Sequence, residues 1–105
     1  MTNKVNEAML KMYEARMALN EALTEAHKEL ELAEIDYEHS DWYVNMLETK
    51  WKESKDEAIG LKLDKAYEDH QTTVESYNEL LDKVDVIEDA IKKLYSIDGN
   101  LYYFA

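Results

Sequence analysis

The sequence contains no cysteine and no proline, and only two glycines, Gly60 and Gly99. Without cysteine there can be no disulfide and no thiolate metal site. Without proline, and almost without glycine, nothing in the chain forbids very long helices. No stretch approaches the ~20 apolar residues needed to span a bilayer. The opening Met-Thr-Asn-Lys-Val-Asn-Glu lacks the apolar core of a signal peptide, so a cytoplasmic protein is expected.

Positive charge is also scarce. Twelve Lys and Arg stand against 24 Asp and Glu, a net charge of −12. Direct binding to nucleic acid is disfavoured, because a phosphate backbone calls for a basic footprint. An anionic membrane surface is disfavoured for the same reason. The partners this charge attracts are basic proteins and cations.

Catalytic signatures are missing as well. There is no phosphate-cradling glycine loop, no calcium loop and no nucleophile elbow. His27, His39 and His70 are far apart, and Asp36-x-x-His39 has no second copy to complete a di-metal bundle site. His27 and Glu31 could at most hold a divalent ion weakly. Paired acids are plentiful, but on exposed helix faces they make poor general acids. No enzyme, cofactor or metal site is expected.

What the chain does have is periodicity. Val5, Met9, Met12, Arg16, Leu19, Leu23, Ala26, Leu30, Ala33, Tyr37, Ser40, Val44, Leu47, Trp51, Ser54, Ala58 and Leu61 follow one another in steps of four and three. That is the 3.5-residue repeat of a helix winding against another helix, kept for about eight heptads. Past Leu61 this phase meets only polar residues. A new stripe begins at Leu63 and continues through Ala66, His70, Thr73, Tyr77, Leu80, Val84, Ile87, Ile91 and Leu94, with Tyr67, Val74, Leu81 and Tyr95 on its flank.

A phase change beside a glycine reads as a turn. The expected fold is therefore all-α, a long antiparallel helical hairpin or coiled coil in one elongated domain. Its first helix covers about 3–59, the turn about 60–63 and the second helix about 62–96. Asp98-Gly99-Asn100 is expected to stop that helix, leaving an apolar tail over 97–105 that either folds back or anchors a partner. Ser40-Asp41 could start a new helix, so a break near 37–41 and a three-helix bundle stand as an alternative. Ser54-Lys-Asp-Glu57 matches a capping box and is a weak rival start for the second helix. Trp42, Tyr43, Trp51 and Tyr67 are expected to pack near the turn.

A turn at Gly60 places residue 44 opposite about 77 and residue 26 opposite about 95. That leaves roughly the first 20 residues without a partner inside the chain. Val5, Met9, Met12, Arg16, Leu19 and Leu23 would then form an oligomerisation seam, and a homodimer is expected. Arg16 on that seam either snorkels to water or sets register through an ion pair.

The negative charge is concentrated. Residues 21–41 hold eight acids against Lys28, and 68–89 hold eight against Lys83; the other segments nearly balance. The acids singled out are Glu25, Glu29, Glu31, Glu34, Asp36 and Glu38 on the first helix. On the second they are Glu75, Glu79, Asp82, Asp85, Glu88 and Asp89. Helical carboxylates do not match the charge density of a duplex, but a row spaced by a turn can occupy phosphate pockets lined by Arg and Lys. The function expected is a small acidic inhibitor that mimics DNA on a basic, nucleic-acid-binding protein, as phage anti-defence proteins do. The alternative is a structural or adaptor coiled coil whose acids only keep it soluble.

Overall fold

The computed structural model describes the backbone from Thr2 to Phe104 and the side chains from Asn3 to Ile97. Two helices account for nearly all of it: α1, Thr2–Ser54, and α2, Glu57–Phe104. They form an antiparallel helical hairpin with no strand among the described residues.

α1 runs uninterrupted through 37–41. Ser40, the suspected cap, turns its hydroxyl back to the Tyr37 carbonyl at 2.9 Å, so it needs no break in the helix. The turn is Lys55-Asp56, not 60–63. Lys55 takes a left-handed conformation, φ 55°, and its N–H donates to the Trp51 carbonyl at 2.9 Å. This is the cap that glycine usually supplies. Asp56 then opens α2: its carboxylate accepts from the Ala58 N–H at 2.9 Å, and its carbonyl accepts from the Gly60 N–H at 3.0 Å.

Gly60 thus lies in the first turn of α2. A Cβ there would come within 3.1 Å of the Trp51 ring, so its role is to admit that indole. At the far end Asp98-Gly99-Asn100 does not stop α2, whose backbone stays helical to Phe104. The side chains of Leu101–Phe104, to which an anchoring role was given, lie outside the described residues.

Moving the turn about five residues earlier shifts the antiparallel pairing by about ten. Residue 40 faces residue 70, where 44 was expected to face 77, and residue 16 meets residue 95, where 26 was expected. The contacts divide the chain into two units, each made from both helices.

In the unit Glu29–Leu81, Val44, Leu47, Leu63 and Ala66 form a buried cluster, with Met46, Trp51 and Ile59 packed on it. In the unit Met1–Lys28 with Asp82–Ala105, Ala26 and Val84 are buried. The seam runs from Val5 to Trp51 and from Leu63 to Leu94, and every stripe position there is at least partly buried. Ser54, Ala58 and Leu61 leave it, because the chain has already turned.

Candidate functional site: an acidic face on paired helices

Near the turn, the unit Glu29–Leu81 sets residues 29–41 of α1 alongside residues 68–81 of α2. Four side chains fix this register. The Ser40 hydroxyl, its proton given to Tyr37, lies 2.7 Å from His70 Nδ1 and accepts from it. The Tyr37 ring stands 5.3 Å from His70 and 5.7 Å from Tyr77, both tilted. Thr73 satisfies its hydroxyl with a 2.9 Å bond to the Asp69 carbonyl. One polar pair and three aromatic rings thus occupy the interface between two acid-rich segments.

The acids themselves face solvent. Glu29, Glu31, Glu34, Asp36, Glu38, Glu75 and Glu79 are all exposed in this unit. Glu75 accepts a 3.2 Å bond from Gln71 one turn earlier. From residue 29 to 49 on α1 and from 66 to 81 on α2 there are eleven Asp and Glu and no Lys or Arg. Fifteen acids and five bases give this unit −10 of the net −12. Pairing the helices therefore concentrates like charge in this unit.

Closer to the turn the Tyr67 hydroxyl donates to the Glu48 carboxylate across the helices. That bond, with desolvation and the negative charges of Glu48 and Asp64, pushes the Tyr67 pKa above its ordinary value of 10.0. Of the four aromatics expected to pack here, only Trp51 does. Trp42 is 64% exposed, and Tyr43 and Tyr67 are also exposed. Lys55 Nζ lies 5.4 Å from the Trp51 ring centroid, a cation–π contact that helps hold its left-handed cap.

The other unit carries the remaining candidates. Glu25, Asp82, Asp85 and Asp89 are exposed, and Glu88 is partly buried. Glu25 lies 3.9 Å from Lys28 one turn on. His27 Nε2 is 4.0 Å from Glu88 on α2, an ion pair only when the histidine is protonated and weak at this exposure. His27 is thus turned to α2. No group of three or more His, Asp or Glu among the described residues is placed to hold a metal ion.

The suspected oligomerisation seam is partly covered inside one chain. Val5, Met9, Met12, Arg16, Leu19 and Leu23 are each half-buried. The Arg16 guanidinium lies 5.0 Å over the Tyr95 ring and 5.9 Å over Tyr13. Stacking on aromatic faces, with its stem along the seam, is how this charge is accommodated. With this register the start of α1 has a partner within its own chain and does not require a second copy.

Comparison with protein-family models, characterised proteins and solved structures gives no match. Among the described residues no helix is long and apolar enough to cross a membrane. What can act at the surface is charge carried on a defined pair of helices, together with the side chains that interrupt it.

Proposed function

We propose that the chain is a protein-binding inhibitor that occupies a basic, nucleic-acid-binding surface of its partner, acting in the cytoplasm. The observation that carries this is the zone of residues 29–41 and 68–81, ten acids without a Lys or Arg, set side by side on two helices. Fourteen residues of helix rise about 21 Å, so the pair offers roughly one carboxylate per 2 Å of axis, close to the one charge per about 1.7 Å of a duplex. Two helices reach a density that one alone does not. Arg and Lys side chains that grip phosphates would find carboxylates at comparable spacing, held on a backbone that needs no ordering when it binds.

Capture from lysate at low and high salt tests this. The expected catch is a basic nucleic-acid-binding protein, weakened at least about tenfold by raised salt. Reversing Glu31, Glu34, Asp36 and Glu38 to Lys should abolish capture while far-UV circular dichroism stays helical. A partner retained through both charge reversal and high salt rules out the inhibitor reading.

A second reading, a self-associating adaptor, draws on one feature of the other unit. Leu10, Tyr13 and Met17 are exposed at 58%, 52% and 47% on successive turns of α1. A homodimer through that row would be seen by light scattering and lost on replacing Leu10 and Met17 with Ser.

A further inference from the structure

The acidic zone is interrupted by an apolar ridge that the hairpin leaves exposed except at its Met46 end. Leu32, Ile35, His39, Trp42 and Met46 follow each other at steps of three and four on α1. They form a heptad row roughly opposite the seam, since Tyr37, Ser40 and Val44 face α2. Met46 leans onto the core at one end. Leu32 is 65% exposed, Ile35 50% and Trp42 64%. Scattered exposed apolar side chains need no explanation. A row at coiled-coil spacing, away from the seam with α2, is a face built for a second helix.

The surroundings say which helix. Glu31 and Glu38 run along one flank of the ridge. On the other, Trp42 and Tyr43 meet Asp36 and Asp69 in an open groove between the helices. Charge on both sides has one sign, and no Lys or Arg lies on α1 between 29 and 49. A second copy of this chain would bring the same acids face to face, which is destabilising. An anionic lipid surface would be repelled as well.

We infer that the ridge from Leu32 to Met46 is the seat of a basic amphipathic helix of a partner protein. That helix would carry an apolar stripe onto Leu32, Ile35 and Trp42, and Lys or Arg on its flanks onto Glu31, Glu38, Asp36 and Asp69. The ridge spans about 21 Å, so about four turns are engaged. Trp42, the largest exposed side chain of the ridge, is the anchor. The inference rests on the inhibitor reading only for the sign of the partner's charge. It adds that recognition is by a helix rather than by an open phosphate cleft.

Two synthetic peptides of 18 residues and identical Leu, Lys and Arg composition separate the two ideas. One places Leu at heptad a and d positions with bases at e and g; the other permutes the order so that no stripe forms. Fluorescence anisotropy of the labelled peptides should show the striped one binding about tenfold or more tighter, and turning helical as it binds. Ile35→Ser with Trp42→Ser, both at exposed positions, should remove that advantage and leave the permuted peptide unchanged. In a Trp51→Phe background the Trp42 emission should shift to the blue only with the striped peptide. Equal affinity of the two peptides overturns the ridge as a helix seat and leaves the charge-based reading standing. Failure of both to bind at low salt overturns both.

Discussion

Gly60 and Gly99 are both helical, yet they answer to different neighbours. A Cβ at Gly99 would meet nothing within 4 Å. Gly99→Ala should therefore stabilise the chain by about 0.5–1 kcal/mol, the difference in helix propensity. A Cβ at Gly60 would press on the Trp51 ring at 3.1 Å. Gly60→Ala should lose that gain to displacement of the indole, and thermal unfolding followed at 222 nm would rank the two. Asp56 carries the start of α2, and Asp56→Ala should lower stability by about 1 kcal/mol in the same assay. Tyr67, whose neutral form donates to Glu48, has a pKa raised in the folded chain. Its stabilising effect is full below the unfolded value near 10 and fades as pH rises through the folded one. Tyrosinate absorbance near 295 nm should show a late-titrating component that is lost in Tyr67→Phe.

At the scale of the helices, register near residues 40 and 70 is set by a polar pair among the seam's aromatic side chains. Removing the Ser40 hydroxyl leaves His70 Nδ1 without its acceptor, so Ser40→Ala should cost about 1–2 kcal/mol. Ser40→Ala with His70→Leu should recover most of that loss, and a double-mutant cycle in urea measures the coupling. A coupling near zero would remove the pair from its register role. The seam itself was legible in the sequence, because a 3.5-residue period survives wherever one face is buried. The turn was not. Gly60 drew attention as a helix stop, whereas Lys55 supplied a left-handed cap that glycine more often fills. The usable signal was Asp56, inside the Ser54–Glu57 capping pattern and as good a cap as Ser54. The five-residue error in the turn then doubled into a ten-residue error in pairing, and it alone created the apparent need for a second copy. The acids of the candidate site were legible one by one. That two acid-rich segments lie side by side required the register, whereas Trp42's place outside the core follows from its position off the stripe.

For the molecule as a whole, charge pulls stability and binding in opposite directions. A net charge of −12 with most of it in one unit strains the folded chain by self-repulsion. Added salt screens that repulsion, so raising NaCl from about 20 to about 500 mM should raise the unfolding temperature. The same salt should weaken capture of a basic partner. A chain whose acids served only solubility would show the first effect without the second. The most direct measurement is competition: the partner, loaded with labelled nucleic acid, is titrated with the chain. Mimicry predicts stoichiometric release of the nucleic acid, abolished by reversing Glu31, Glu34, Asp36 and Glu38 to Lys. A stable ternary complex, with nucleic acid and chain bound together, would contradict it.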